Sequence, residues 1–261
     1  MARLFAWSGA LLFFLSLAYF LFTYAVTFAV PAPGGGVARA MTWNVLLFTA
    51  FACHHSVFAR ARVRAWVARV VPAGLERSFY VWVASVLFLA VTFCWQPVPG
   101  VAWQVDGVAR WALWAVQAVG VWLTLQSAAA LDIRELAGIQ QLHGEPDKVR
   151  PTEDIFRTTG PYGCVRHPIY TGWFLLVFAA SPMTMTRLVF AVVSGAYLVI
   201  AIPFEERSMR ASTPGAYERY MARVKWKLCP GVYLADLTRS ALPATSSRLP
   251  AATSYQLPAT G

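Results

Sequence analysis

The sequence predicts an all-α, polytopic membrane protein, a helical bundle of about six spans that ends in a C-terminal helical hairpin. Hydrophobic residues make up 58% of the 261 residues and charged residues only 13%, whereas soluble domains average about 45–50% and roughly 25%. The apolar residues also occur in long runs, and about 20 such residues suffice to cross the hydrocarbon core of a bilayer. Composition and run length both favour a chain embedded in a membrane.

Four apolar runs precede the hairpin. They cover residues 4–30, 41–58, 79–95 and 108–131. We expect the first run to be a retained membrane helix rather than a signal peptide, because Arg3 leaves almost no basic leader and no small-residue cleavage site follows the run. Residues 1–235 are interpreted as one membrane domain, and residues 236–261, rich in Ala, Ser, Thr and Pro, as a disordered tail.

The last apolar run, residues 169–204, is too long for a single span. It is interrupted by Ser181 and Pro182. A proline cannot donate a helical hydrogen bond, and it pushes the residue before it out of the helical region. The interruption therefore predicts two antiparallel helices, at residues 168–180 and 184–207.

The distribution of basic residues predicts that both termini are cytoplasmic. Of the 22 Lys and Arg residues, only Arg39, Arg110 and Arg187 fall outside the predicted inner segments. Cytoplasmic segments of membrane proteins carry such an excess. The net charge of +10 then serves to orient the chain and to attract anionic membrane lipid. It gives no reason to expect a nucleic-acid partner.

The densest polar motif lies where the hairpin begins. Arg166, His167 and Tyr170 stand at the entry of its first helix, and Glu205 and Glu206 end its second helix on the same side of the membrane. Residue chemistry leaves two interpretations open: a structural salt-bridge set, or a site for a zwitterionic ligand beside lipid. The spacing of the histidine and the carboxylates does not suit zinc, so we expect no metal.

A second polar set lies near the inner end of the second run. His54 and His55 are adjacent, and Glu76 opens the third helix on the same side. One interpretation is a buried structural network of a histidine with Glu76. The other is the lining of an acceptor pocket, in which a histidine takes up a proton near neutral pH.

These motifs resemble those of a known superfamily. The integral-membrane methyltransferases, which include isoprenylcysteine carboxyl methyltransferase and phospholipid methyltransferases, share a signature similar to GPYGCVRHPIYTG at residues 160–172 with the glutamate pair at 205–206. The stretches HSVFAR at 55–60, ERS at 76–78 and WQP at 95–97 resemble the bacterial methanethiol S-methyltransferase branch.

The resemblance implies a cofactor, a substrate and a place for each. The cofactor would be S-adenosylmethionine, bound in the region 132–225, and the substrate a small thiol such as methanethiol, giving dimethyl sulfide, in a bacterial inner (cytoplasmic) membrane. Arg166, His55 or His54 would favour the thiolate and are the predicted catalytic residues. The predicted cofactor-binding residues are Tyr162, Val165, Arg166, His167, Tyr170, Gly172, Glu205 and Glu206.

The sequence also departs from that branch. His54 stands where we expect a glutamine, and residues 132–140 match only loosely. Both places border the expected acceptor side. A lipid amine or a prenylcysteine carboxylate therefore remains an alternative acceptor. The sequence is also compatible with an NADPH-dependent membrane reductase of related fold, and with a membrane protein without enzymatic activity.

Overall fold

The computed structural model describes residues 1–58, 63, 66–67, 69–72, 74–130, 156 and 158–231. The all-α membrane bundle is confirmed. The predicted disordered tail and most of the loop before the hairpin lie outside the described residues.

The helices within the described residues are α1 (Ala2–Phe22), α2 (Val37–Phe58), α3 (Glu76–Phe93), α4 (Gly107–Ala130), α5 (Pro161–Cys164), α6 (Pro168–Phe178), α7 (Met185–Ser212) and α8 (Ala216–Arg223). Two short strands, β1 (Val101–Trp103) and β2 (Met183–Thr184), pair antiparallel.

Four helical segments within the described residues are long and apolar enough to cross a membrane. They are Ala2–Thr27, which is α1 with its extension, and Glu76–Phe93, Gly107–Ala130 and Met185–Ser212. The second predicted run forms α2, which is less apolar because it contains Asn44, His54 and His55. Four such helices, with α2 and the short α6, account for the six segments that the sequence predicts.

The predicted hairpin is present, with unequal arms. Its first arm, α6, has only 11 residues, about 16 Å at 1.5 Å per residue. That is roughly half of the hydrocarbon thickness. The non-helical residues 179–182 and the strand β2 separate α6 from the start of α7. The first arm therefore combines a short helix with a more extended segment, whereas α7 is a helix of 28 residues.

The bundle core is a cluster of aromatic rings. Phe190 of α7 is completely buried, and its ring centroid lies 5.2 Å from that of Phe20, 5.0 Å from that of Trp95 and 6.1 Å from that of Trp173. Aromatic pairs at these separations contribute beyond the area they bury. The cluster joins α1, α6 and α7 to the segment that follows α3.

One end of the bundle, which we call the β end because it contains β1 and β2, is closed by paired hydrogen bonds. The Asn44 side chain donates to the Gln96 carbonyl and accepts from the Gln96 amide, both at 2.8 Å. The Thr186 hydroxyl likewise accepts from the Val98 amide at 2.9 Å and donates to the Val98 carbonyl at 3.2 Å. These pairs bind the segment after α3 to α2 and α7.

Arg187 belongs to the β end, and it is a buried helical residue rather than a loop charge. α1 ends in a π-helical turn, Thr23–Thr27. The Arg187 guanidinium donates to the carbonyl oxygens of Tyr24 and Ala25, each at 2.9 Å, and to that of Pro182 at 2.6 Å. A cation at a helix C-terminus opposes the negative end of the helix dipole. Arg187 thus holds the end of α1 against the turn of the hairpin.

The closest helix contact is between α4 and α6. A methyl group added at Gly120 would lie 2.6 Å from the carbonyl oxygen of Gly172 and 2.7 Å from the amide nitrogen of Leu176. A methyl group added at Gly172 would lie 2.6 Å from the carbonyl oxygen of Gly120. Backbone atoms cannot move aside as side-chain ends can, so the two glycines set the separation of these helices.

We therefore expect Gly120→Ala to force α4 and α6 apart and to destabilise the protein by about 1–3 kcal/mol, as overpacking does. Thermal unfolding in detergent measures this loss. Gly36→Ala is the matched control, because the nearest atom to its added methyl is the Cβ of Arg39 at 3.8 Å. Equal melting temperatures for the two variants would contradict the close packing.

Candidate active site

The other end of the bundle, which we call the site end, gathers the predicted polar residues. Because the helices alternate in direction, the C-terminal ends of α2 and α7 meet the N-terminal ends of α3 and α6 there. The structure joins Arg166, His167, Tyr170, Glu205 and Glu206 in one network of hydrogen bonds and ion pairs. The hairpin geometry inferred from the sequence is thus confirmed at this end.

Glu206 lies at the centre of a buried charge cluster. Its Oε1 is 2.8 Å from Arg166 Nε and 3.3 Å from His167 Nε2, and its Oε2 is 3.7 Å from Lys227 Nζ. Only 3% of its side chain is exposed. A buried carboxylate is tolerated when it is paired and hydrogen-bonded in this way. The two oxygens of the Glu206 carboxylate are therefore already engaged by neighbouring side chains of the protein.

Arg166 also forms hydrogen bonds with the segment that follows α8. Its Nη1 donates to the carbonyl oxygens of Val224 at 3.1 Å and Lys225 at 3.0 Å. The backbone amide of Arg166 donates to the Trp226 carbonyl at 2.9 Å, and that of His167 to the Lys227 carbonyl at 3.0 Å. Residues 224–227, which we call the strap, thus lie across the start of α6. The predicted catalytic role of Arg166 stays a prediction.

Glu205 differs from its neighbour in exposure. Its side chain is 39% exposed. One carboxylate oxygen accepts a hydrogen bond from the Tyr170 hydroxyl, and the other lies 3.6 Å from His167 Nδ1. The rings of His167 and Tyr170 are stacked, with centroids 5.4 Å apart. Glu205 therefore presents a negative charge at an accessible face, with its orientation fixed by aromatic side chains.

Further phenols line the same end. Burial raises the pKa of Tyr162 to about 12, and the negative charge of Glu205 adds to the shift. Burial also raises the pKa of Tyr217 and of Tyr220. The Tyr220 hydroxyl donates to the Tyr162 carbonyl at 2.9 Å. At neutral pH these phenols keep their protons and are available as hydrogen-bond donors.

The two histidines of α2 have different surroundings. His55 Nδ1 lies 2.6 Å from the Tyr80 hydroxyl of α3. The His54 ring lies 4.3 Å from that of Phe58 and 5.7 Å from that of Tyr80. Its buried Nε2 has no hydrogen-bond partner within the described part of the chain. The structure therefore distinguishes the two adjacent residues, which the sequence could not.

Glu76 does not fill the role that one interpretation of the sequence gave it. Its Oε2 accepts a hydrogen bond from the Gly74 backbone amide at 3.0 Å, so the carboxylate serves the start of its own helix. Tyr80 follows one helical turn later, and its longer side chain reaches His55. The hydrogen-bond partner of His55 is thus the Tyr80 phenol rather than the Glu76 carboxylate.

Val165 and Gly172 are also predicted to bind the cofactor, and the structure shows where each of them lies. Val165 is a buried, extended residue between α5 and α6. Gly172 faces Gly120 and Thr124 of α4. Their contacts with a cofactor stay predictions.

Sequence reasoning assigned no role to three side chains at this end. Tyr80 is bonded to His55, and Lys227 of the strap is paired with Glu206. The Tyr197 hydroxyl lies 2.8 Å from the Ser56 hydroxyl and interacts electrostatically with Glu205. Tyr197 precedes Glu205 by eight residues, which places the two side chains about 80° apart around α7, so periodicity gave only a weak signal for it. No comparable signal precedes Lys227.

Comparison with known proteins agrees with these motifs. The chain is 34% identical over 188 residues to methanethiol S-methyltransferase 2 of Bradyrhizobium diazoefficiens, covering 72% of this chain and 73% of that protein. It is 36% identical over 208 residues to the methanethiol S-methyltransferase of Mycobacterium tuberculosis, covering 78% and 82%. Nurim of Homo sapiens is 27% identical over 188 residues, covering 67% and 70%.

No family model matches the sequence, and no solved structure matches it. The bacterial relatives nevertheless exceed 30% identity over more than two thirds of their length. These alignments and the apolar helices of the bundle assign the family. The chain belongs to the methanethiol S-methyltransferase family and is an integral-membrane methyltransferase.

Proposed function

We propose that the protein transfers a methyl group from S-adenosylmethionine to methanethiol and so forms dimethyl sulfide. The observation that carries the proposal is the half-exposed Glu205 carboxylate, held by Tyr170 and His167 at the site end, in a chain whose bacterial relatives are named for this reaction. A lipid amine or a prenylcysteine carboxylate has no comparable support.

The residues at the site end suit this cofactor. It carries an ammonium and a sulfonium, and a carboxylate with an accessible face attracts such cations. Aromatic faces such as those of the stacked His167 and Tyr170 add cation–π attraction. Tyr162 offers a protonated phenol to polar groups of the ligand. We assign Glu205, Tyr170, His167 and Tyr162 to the cofactor, and give Glu206 the task of positioning His167.

Arg166 then acts as a positioning residue. Its bonds reach Glu206 and the strap carbonyls, and its own backbone carries His167 as the next residue. When bound, the cofactor supplies a methyl group on a positively charged sulfur. The protein must align the thiol with that methyl group, and such alignment contributes substantially to the rate of a reaction between two bound substrates.

Surroundings of low polarity favour this chemistry. A thiolate that attacks a sulfonium neutralises both charges, so exclusion of water favours the neutralised transition state. The site end is flanked by the exposed apolar side chains of Val57 and Phe204, which in a bilayer face lipid. We place the protein in the bacterial inner membrane with both termini and the site end on the cytoplasmic side.

The direct test is a headspace assay on the detergent-purified protein with S-adenosylmethionine and methanethiol. We expect dimethyl sulfide and S-adenosylhomocysteine to appear in equal amounts, because each transfer yields one of each. Boiled protein is the control. The proposal fails if no dimethyl sulfide forms while a lipid amine or a prenylcysteine is methylated.

The two glutamates should respond differently to substitution. Glu205→Gln removes the accessible charge and should weaken cofactor binding about tenfold or more, with little change in melting temperature. Glu206→Gln leaves Arg166 and Lys227 without their carboxylate, and removing one partner of a buried pair costs about 3–5 kcal/mol. Calorimetric binding and thermal unfolding separate the two effects. The reverse pattern would exchange the roles proposed for the glutamates.

The orientation can be tested with single-cysteine variants. Cys164 is exposed at the site end, so a variant that keeps only Cys164 should react with a membrane-impermeant maleimide in inside-out vesicles and not in spheroplasts. A cysteine-free variant carrying Gly34→Cys, in the open loop at the β end, should show the opposite pattern. Labelling of Cys164 in spheroplasts would overturn the orientation.

A further inference from the structure

Thiol methylation requires a group that removes the proton of the thiol. A free thiol with a pKa near that of cysteine, about 8.5, is mostly protonated at neutral pH, and the thiolate is the nucleophile. Arg166 cannot take up a proton, since a guanidinium stays protonated in proteins. The carboxylate of Glu206 is enclosed by three partners.

The hydrogen-bonded pair of His55 and Tyr80 is the strongest remaining candidate. Its two atoms are 2.6 Å apart, a separation at which a proton can pass between oxygen and nitrogen. The pair links α2 to α3 and lies outside the network of Glu206. His55 also packs against Phe51, with ring centroids 5.9 Å apart, so its ring is held on an apolar face.

The phenol of this pair lies within electrostatic range of the proposed cofactor residues. The charge of Glu205 acts on Tyr80, and Tyr80 acts on Tyr170, which is hydrogen-bonded to Glu205. Arg77, on the same helix as Tyr80, and Tyr197 of α7 also act on this phenol. Tyr80 is thus hydrogen-bonded to His55 and within electrostatic range of the Glu205–Tyr170 pair.

His54 does not offer the same path. Its ring is stacked against Tyr80, but its Nε2 makes no hydrogen bond among the described residues. A proton accepted at that nitrogen therefore has no bonded route to the phenol. The ring contacts of His54 with Phe58 and Tyr80 suit it to packing beside the pair.

We propose that Tyr80 and His55 form a proton relay that deprotonates the thiol acceptor, with the Tyr80 hydroxyl facing the thiol and His55 as the final base. This inference rests on the proposed thiol methylation and adds to it the route of the proton. The Tyr80 oxygen takes the thiol proton while the Tyr80 hydroxyl proton passes to His55 Nδ1. The phenol ends neutral, and His55 becomes an imidazolium.

The electron pairs of the transfer balance at the two sulfur atoms. The thiol sulfur keeps the electron pair of its broken S–H bond and uses such a pair to form the new bond to the methyl carbon. The bond between that carbon and the sulfonium breaks, and its pair stays on the departing sulfur. The products are a neutral thioether, S-adenosylhomocysteine and one proton held on His55, which is then released to water.

A purely structural role for the pair, as a link between α2 and α3, makes a different prediction. Loss of a structural link would impair every acceptor alike. Loss of a base impairs only acceptors that need one. Two small thiols of similar size separate these cases: ethanethiol, which is largely protonated in neutral buffer, and 2,2,2-trifluoroethanethiol, which the fluorines make more acidic.

The experiment measures kcat/KM for both thiols with the full-length protein in detergent, at a pH above the pKa of the fluorinated thiol. In Tyr80→Phe and in His55→Gln we expect a loss of about 100-fold or more with ethanethiol, the lower range for general-base catalysis. With the fluorinated thiol we expect a loss of less than about tenfold. Cofactor affinity, measured by calorimetry, should stay unchanged in Tyr80→Phe.

Ser56→Ala is the matched control. It removes a hydrogen bond of 2.8 Å that joins α2 to Tyr197 of α7, next to His55 in the chain but outside the relay. Its effect should be small and equal for both thiols. His54→Gln should likewise not distinguish the two thiols.

Each outcome is decisive. A selective loss with ethanethiol in both relay variants supports the relay. Equal losses with the two thiols, or no loss in Tyr80→Phe, overturn it and leave thiol methylation intact. A wild-type protein that binds S-adenosylmethionine and methylates neither thiol nor methanethiol overturns the proposed function, and the relay with it.

Discussion

The carboxylate of Glu206 is the constraint around which the site end is built. A charge with 3% of its side chain exposed persists only because Arg166, His167 and Lys227 surround it, and each of these comes from a different part of the chain than α7. Removing any one partner leaves uncompensated charge in a dry place. The start of α6, the end of α7 and the strap are therefore fixed relative to one another by a single group.

The inward orientation of Glu206 determines where the side chain of the neighbouring Glu205 can lie. Consecutive residues on a helix point about 100° apart, so once Glu206 faces inward, Glu205 must project to another side of α7. There it meets the Tyr170 hydroxyl and the second nitrogen of His167. His167 touches both carboxylates and so links the structural charge cluster to the accessible one. A structural ion pair and the proposed ligand site are thus parts of one arrangement, although the sequence had presented them as alternatives.

The sequence predicted those features that depend on local or periodic signals. The proline at position 182 marked the turn of the hairpin, and the observed helices, Pro168–Phe178 and Met185–Ser212, begin or end within a few residues of the expected bounds. The different roles of Glu205 and Glu206 could not be predicted, because they depend on the strap folding back from beyond α8. The choice of Tyr80 over Glu76 depends on the reach of two side chains across a helix interface, which periodicity does not encode.

The two ends of the bundle differ in a way that bears on how a small thiol reaches the site. At the β end, the polar side chains of Asn44, Thr186 and Arg187 form hydrogen bonds between segments, which close that end. At the site end, Phe204 is 56% exposed and directly precedes Glu205. A lipid-facing ring is therefore the immediate neighbour of the proposed cofactor carboxylate. Since small volatile thiols partition into apolar surroundings, the bilayer itself can deliver the proposed substrate to this edge, and the proposed reaction gains from taking place there.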